Sequence, residues 1–267
     1  MTTEDNAKLL VSNKEEQVLA LQALNIPAEA DTPLSELADY TKWAGGLLDI
    51  CYACAPTDGS GIGTGIGKGT SSLSYFTPEQ WSSLSGVERD KHTLIGIRLR
   101  AENKQFLISL MDISKTSQGT SSETMLWNST GDAIPNLKDY GLQSKGIFDD
   151  FNAKGMTDDI ISYHAGKASS WSAAGYCRQY KAADVDPVEW SMATVAHMVL
   201  IFKYRKEINQ FLATHVSASS PIRDATYWTA NEFGSYYAWY INMSSGALAH
   251  SAGKNNSNCS VRAVSAI

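Results

Sequence analysis

Four cysteines are the side chains in this sequence best suited to metal binding or nucleophilic chemistry. Cys51 and Cys54 form a single CxxC pair with Tyr and Ala between them, whereas Cys177 and Cys259 stand alone. A zinc site usually takes a second pair or histidines at ligand spacing, and the sequence offers neither beside this pair. We therefore predict buried free thiols, no metal and no cofactor.

The five histidines are scattered and lie outside the sequence patterns of hydrolases. No GxSxG or HExxH motif and no paired-carboxylate signature accompanies them. His197 lies in an apolar stretch with helical spacing, which favours a satisfied core histidine. The pattern predicts that the protein is not an enzyme. The histidines are His92, His164, His197, His215 and His250.

A glycine at every second position between Gly59 and Gly69 gives the chain a superficial likeness to a phosphate-binding loop. The motif requires Ser or Thr after its lysine, but Lys68 is followed by Gly69, and Ile62 stands where the first glycine should be. The stretch is more typical of a flexible connection. We assign residues 59–74 to a glycine-rich linker or ribbon.

Composition narrows the classes of partner. The chain has 267 residues, a formal net charge of −6 and 43% hydrophobic residues. Nucleic-acid-binding proteins usually carry a basic stripe, so the charge argues against a nucleic-acid partner. No apolar run reaches the roughly 18 residues of a membrane span, and we expect no membrane insertion.

Three segments follow from the pattern of elements. Residues 1–58 are predicted to form a small helical module with one helix at 15–25 and a second that begins at Thr32-Pro33. The second helix carries one apolar stripe of Leu34, Leu37, Tyr40 and Trp43. This module either attaches or oligomerises the protein, or folds back on its own domain. Residues 75–267 combine a hairpin at 93–111, helices near 77–81, 147–166, 173–180 and 195–209, and C-terminal strands, which predicts an α+β domain.

The C-terminal stretch from Gly234 to Ser260 has the composition of a contact surface. Ser, Asn, Ala, Gly and Tyr dominate it, and Lys254 is its only Lys, Arg, Asp or Glu. Ser, Gly and Asn adapt their hydrogen bonds to many shapes, while Tyr adds rigid amphipathic area at low entropic cost. A polar surface hairpin with no binding role remains the alternative.

Alternation along Ala238–Met243 predicts a strand with one buried and one exposed face. Trp239, Ile241 and Met243 would face the core, and Ala238, Tyr240 and Asn242 the solvent. Ser244-Ser245-Gly246 reads as a turn, 247–252 as a returning strand, and 258–264 as a final strand. The sequence thus predicts a C-terminal β-hairpin or meander.

The same residues resemble a known family. Tyr227–Phe233 (YWTANEF), Ala238-Trp239, Asn242, Gly246 and Val261–Val264 (VRAV) are similar to the variable C-terminus of proteins diversified by retroelements. Upstream, PVEWSMAT at 187–194 and the helix after it resemble the entry to that segment. The likeness covers roughly residues 75–267. It departs from the usual pattern at Ala193, where Pro is common, and at 265–267, where an aromatic residue often closes the chain.

The resemblance implies a C-type-lectin-like fold and a hypervariable surface. In this family a reverse transcriptase rewrites the adenines of Asn codons, which yields Ser, Tyr, Ala, Gly or His but never Trp, Met, Glu or Lys. Glu232, Trp239, Met243 and Lys254 should therefore be constant, and we expect Trp228, Trp239 and Met243 to be buried. The implied ligand-binding residues are Ser235, Tyr236, Tyr237, Tyr240, Asn242, Ala247, Ala249, His250, Asn255, Asn256 and Ser257.

The implied function is non-catalytic receptor binding by a subunit of a phage tail tip or fibre. Its partners would be a host cell-surface protein or glycan, other tail or virion proteins through residues 1–58, and further copies in a homo-oligomer such as a trimer. Residues 1–10 show no secretory or lipoprotein leader, which favours a virion over the bacterial cell surface. The alternatives are a structural tail protein without a variable site and an oxidoreductase like the formylglycine-generating enzymes. The latter use a cysteine pair near the C-terminus, where this chain has only Cys259. Calcium is not expected, because Trp127-Asn128-Ser129 lacks the acidic residue of the lectin calcium motif.

Overall fold

The chain folds as a mixed α and β structure with two sheets. The computed structural model describes residues 48–57, 73–114, 124–128, 131–141, 146–165, 172–217, 219–256 and 259–267. The larger sheet has six strands, in the order β2 (Ser74–Phe76), β1 (Asp49–Pro56), β3 (His92–Ala101), β4 (Lys104–Asp112), β9 (Arg262–Ala266) and β5 (Ser191–Met192). The smaller sheet has three, in the order β6 (Thr226–Phe233), β7 (Tyr237–Asn242) and β8 (Leu248–Ala249). The α+β prediction is confirmed. The predicted helices at 15–25 and 32–43 and nearly all of the glycine-rich linker lie outside the described residues.

Contacts divide the chain into two units. The first comprises residues 1–49 with Leu99–Gln105, and the second Ile50–Arg98 with Phe106–Ile267. Within the first, Glu102 and Asn103 have φ of 53° and 57°, as in a two-residue type I′ turn. This turn joins strands β3 (His92–Ala101) and β4 (Lys104–Asp112), which confirms the predicted hairpin.

Strand β1 (Asp49–Pro56) lies in the larger sheet, although the sequence assigned its residues to the helical module. It pairs antiparallel with β2 (Ser74–Phe76), with Tyr52 opposite Phe76. Side chains three apart in a strand point to opposite faces, so Cys51 and Cys54 are not placed to share a ligand. All four cysteines are free and buried, as predicted.

The last strand corrects the predicted meander. Strand β9 (Arg262–Ala266) does not join the small sheet but lies between β4 and the short strand β5 (Ser191–Met192) of the larger one. Phe106 pairs with Ala266, and Ser191 with Val264. Adjacency along the chain predicted the wrong partner, because an apolar strand pattern does not specify which neighbour it pairs with.

Buried charges fix this placement of β9. The side chains of Arg262 and Asp112 are both inaccessible, and Arg262 Nη1 lies 3.1 Å from Asp112 Oδ1. Arg223 Nε donates to the other oxygen of Asp112 at 3.0 Å, and the Tyr227 hydroxyl lies 2.9 Å from it. The strand therefore enters the sheet with its first side chain neutralised.

The helices follow local signals closely. Helix α1 (Pro78–Ser83) begins with a capping box, in which Gln80 N donates to Thr77 Oγ1 at 3.2 Å. Helix α2 (Gly86–Arg89) follows, and its N-cap Ser85 accepts a hydrogen bond from Glu88 N at 3.2 Å. The predicted helices at 147–166 and 173–180 are α3 (Ala153–Ala165) and α4 (Ala173–Gln179).

The predicted helix near 195–209 is in fact two helices. Helix α5 (Val195–Lys203) ends at Tyr204, and α6 (Arg205–His215) begins directly after it. Within the described ranges, no helix is both long and apolar enough to cross a membrane.

Three tryptophans sit at the centre of the core. Trp127, Trp190 and Trp228 are fully buried, and each indole N–H has an acceptor. Trp127 donates to Thr229 O at 2.7 Å and Trp228 to Met125 O at 2.9 Å. Both bonds link the chain near residue 126 to strand β6, and so hold the small sheet on the core.

Candidate binding surface

The small sheet is built on one hairpin and a short third strand. Strands β6 (Thr226–Phe233) and β7 (Tyr237–Asn242) pair antiparallel with an irregular register between Trp228 and Glu232. Gly234 takes a φ of 65°, which glycine adopts without strain, and opens the turn between them. Strand β8 is only Leu248–Ala249, shorter than the predicted return at 247–252.

The implied ligand-binding residues divide by exposure. Tyr236 and Tyr237, at the hairpin tip, keep 46% and 39% of their surface exposed. Ser257 lies outside the described residues. The exposed members are Ser235, Tyr236, Tyr237, Ala247, Asn255 and Asn256, and the half-buried ones are Tyr240, Asn242, Ala249 and His250.

Two segments converge at the tip. Tyr237 forms an antiparallel bridge with Gly253, and Lys254 N donates to Tyr236 O at 3.0 Å. The rings of Tyr236 and Tyr237 meet edge to face, 5.0 Å apart at 83°. Their contact presents two fixed aromatic side chains beside the exposed amides of Asn255 and Asn256. We call Ser235, Tyr236, Tyr237, Asn255 and Asn256 the display surface.

Glycine makes this arrangement possible. A Cβ on Gly253 would lie 2.8 Å from Tyr236 Cε1, closer than such atoms approach, and one on Gly131 would lie 3.4 Å from Tyr236 Cδ2. The Tyr236 ring therefore packs directly over two backbone segments. No sequence motif indicated this role for Gly131, which lies about a hundred residues before Tyr236 along the chain.

A buried ion pair lies beneath the display surface. Lys254 Nζ binds the carboxylate of Glu232 and donates to Asp132 O at 2.9 Å and Ser235 O at 2.8 Å. Glu232 Oε1 in turn accepts from Ile134 N at 3.1 Å. The pair thus joins three segments of the chain. Sequence reasoning marked both residues as constant but did not predict that they pair.

Burial shifts the pKa values of the two partners in opposite directions, because it disfavours both charged forms. It raises the pKa of Glu232, against the effect of Lys254, and lowers the pKa of Lys254, against the effect of Glu232. Each group therefore depends on the other for its charge, and loss of either would leave an uncompensated ion in the interior.

The predicted core face of β7 is confirmed at Ile241, which is fully buried. The division into a core face and an exposed face is wrong at Ala238, Trp239 and Tyr240. Ala238 is fully buried rather than exposed, and Trp239 is half-buried rather than in the core. Trp239 Nε1 donates to Tyr140 O at 2.9 Å, and its ring lies 5.1 Å from that of His250. Trp228 and Met243 are buried, as expected.

Tyr240 is also more enclosed than predicted. Its ring meets buried Trp228 edge to face at 5.9 Å, and its hydroxyl lies 2.9 Å from Ser251 Oγ. Alternation correctly puts Trp239 and Tyr240 on opposite sides of the strand. The prediction was wrong because other segments cover β7 on both sides, which periodicity along one strand does not reveal.

Asn242 shapes the turn after β7. Its Oδ1 accepts from Ser244 N at 2.9 Å and from Ser244 Oγ at 2.6 Å, and its carbonyl accepts from Gly246 N at 2.7 Å. Gly246 has a φ of 74° and lies against Phe202. The Asn242 side chain is thus engaged within its own turn.

Two side chains that could act as a base or a nucleophile, His197 and Cys259, are buried. Burial lowers the pKa of His197 to about 3, and His197 Nδ1 lies 2.8 Å from Thr194 Oγ1. Burial also raises the pKa of Cys259 to about 12, so its thiol stays protonated near neutrality. In the part of the chain that the structure describes, no three His, Cys, Asp or Glu side chains group as metal ligands.

Comparison with protein-family models, curated proteins and solved structures gives no match to this chain. The function must therefore be argued from the residues and their geometry. The display surface can make aromatic and amide contacts to another molecule, and its described members carry no charged side chain.

Proposed function

We propose that this protein is a non-catalytic receptor-binding subunit of a phage tail tip or fibre, with a C-terminal surface that varies between copies of the gene. The scaffold is of the C-type-lectin-like kind, for which a mixed α and β structure is required. The ligand is a protein or glycan on the host cell. The residues before β1 attach the subunit to other virion proteins or to further copies of itself.

One observation carries the proposal: the residues that Asn-codon diversification cannot produce all have structural roles. Glu232 and Lys254 form the buried pair, and Met243 is fully buried. Trp239 is held by its hydrogen bond to Tyr140. These are the four residues that a diversified segment must keep constant.

The display surface consists, in contrast, of residue types that the same process can produce. Tyr236, Tyr237 and Asn255 are exposed, and their neighbours hold the backbone beneath them in place. A surface of Tyr, Ser and Asn adapts to many ligands. Variation there would leave the core unchanged, since ordinary surface substitutions alter stability by less than about 0.5 kcal/mol.

The DNA around the gene tests the proposal directly. We expect a reverse-transcriptase gene nearby and a near-copy of the last coding segment, whose differences from this gene fall at adenines of the copy. The codons for Tyr236, Tyr237 and Asn255 should differ from the copy or match its AAC or AAT codons. Those for Glu232, Trp239, Met243 and Lys254 should be identical in both.

Absence of both the reverse transcriptase and the near-copy would contradict variation of this surface. Differences spread evenly over buried and exposed codons would contradict it as well, because they would indicate ordinary divergence. Either result would favour a structural tail protein whose C-terminal hairpin has no variable site.

A further inference from the structure

A cleft of about 640 Å³ opens at the end of strand β9. Its apolar wall includes Pro187, Val188 and Ala266, and charged side chains from α3, from α4 and the residues after it, and from the segment before β5 line the rest. These are Lys154, Arg178, Lys181 and Glu189. The lining therefore combines apolar side chains with three cationic groups and one carboxylate, in a chain whose net charge is −6.

The carboxylate of Glu189 already lies between two of these cations. Lys154 Nζ lies 3.0 Å from Glu189 Oε1, and Arg178 Nη1 contacts the same oxygen. Asp158, outside the cleft lining, binds both cations, with Arg178 Nη2 at 2.8 Å and Lys154 Nζ at 3.0 Å. The geometry thus already accommodates a carboxylate at this point.

This internal carboxylate can be exchanged at little cost. The side chains of Lys154 and Glu189 remain 57% and 50% exposed. Exposed ion pairs contribute about 0–1 kcal/mol, so Glu189 can turn to solvent when another carboxylate binds. An incoming group that also covers the apolar wall would gain burial that Glu189 does not provide.

The cleft lies away from the display surface. Lys254 and Asn255 come shortly before β9, whereas Ala266 and Ile267 at its other end line the cleft. Strand β9 alone spans about 16 Å between its two ends, at roughly 3.3 Å per residue. A molecule in the cleft would leave the display surface free.

We propose that this cleft binds a segment of a partner protein that carries carboxylates beside apolar side chains. The apolar residues pack on Pro187 and Ala266, and a carboxylate replaces Glu189 between Lys154 and Arg178. Small-molecule sites enclose most of their ligand, whereas the side chains of Lys154 and Glu189 here stay half exposed. A larger partner covers such a rim with its own surface.

Fluorescence anisotropy with a labelled, end-capped peptide of alternating Leu and Glu tests the proposal on the full chain. We expect saturable binding that weakens with salt, and weaker binding of the same peptide with Gln in place of Glu. Lys154→Gln should weaken binding about two- to fivefold, and Glu189→Gln should tighten it by a similar factor. Lys206→Gln, at an exposed position of α6, is the matched control and should leave the affinity for the peptide unchanged.

The opposite signs expected for Lys154→Gln and Glu189→Gln separate exchange at this site from general charge attraction. Equal binding of the Glu and Gln peptides, or no binding up to about 1 mM, would overturn the proposal. Binding of decanoate, a small carboxylate with an apolar chain, is measured in the same way. If it binds as tightly as the peptide, the occupant is a small carboxylate and the partner segment is excluded.

Discussion

Lys254 donates from its ammonium group to the carboxylate of Glu232, and both side chains are buried beneath exposed residues. The two residues lie on different segments, and Lys254 also binds the carbonyls of Asp132 and Ser235. One side chain therefore sets the relative positions of the hairpin tip and the loop at 253–256.

Removing the ammonium should be costly. We expect Lys254→Met to lower the free energy of unfolding by about 3–5 kcal/mol, because Glu232 would remain buried without its partner. Lys254→Met combined with Glu232→Gln should recover part of the loss. Urea denaturation measures both, and a cost no larger than that of Lys206→Met would contradict the structural role of the pair.

Trp239 and Tyr237 should respond differently to truncation. Trp239→Ala removes a half-buried ring and a hydrogen bond, and we expect a loss of about 3 kcal/mol, at the low end for a core aromatic. Tyr237→Ala should stay within about 0.5 kcal/mol, since much of its ring is exposed. Thermal unfolding compares the two. Similar losses would show that the hairpin tip is structural rather than free to vary.

The turn at Gly246 should not tolerate a side chain. Gly246 has a φ of 74°, and an added Cβ would clash with the Phe202 ring, so Gly246→Ala should cost about 1–3 kcal/mol. Gly86→Ala is the control, because nothing lies within 4 Å of its added Cβ. It should be neutral or stabilising by up to about 1 kcal/mol. Gly246→Ala should have the lower melting temperature of the two variants, and the reverse order would contradict the clash with Phe202.

Local signals in the sequence predicted the elements better than their partners. The capping box at Thr77 and the alternation on both sides of Glu102-Asn103 specify a helix start and a hairpin without help from the rest of the chain. The position of β9 between β4 and β5 depends instead on contacts with residues such as Phe106, far away in sequence. The exposed fractions of Trp239 and Tyr240 likewise depend on which other segments of the chain cover β7.

Acid should destabilise the fold through His197. Its pKa is lowered to about 3 by burial, from an ordinary value of 6.5, so the folded state binds its proton less readily than the unfolded chain. The contribution of His197 to the free energy of unfolding is fully present above about pH 6.5. It falls by about 1.4 kcal/mol per pH unit as the pH drops toward 3. Burial also lowers the pKa of His164, which acts in the same direction.

His197→Gln isolates this contribution. We expect its free energy of unfolding to fall less steeply than that of the wild type between about pH 6.5 and 4, as followed by urea denaturation at each pH. Parallel curves for the two proteins would contradict a neutral buried imidazole.

The place of β9 has a consequence for synthesis. During translation, β4 and β5 leave the ribosome well before the strand that must lie between them. The larger sheet cannot close until residue 266 is free, so the earlier strands wait with unpaired edges. A gene copy whose reading frame is lost within the last forty codons would therefore yield a chain that never completes its sheet. Proteolysis would remove such products, and only in-frame versions of the C-terminal segment would reach a folded state.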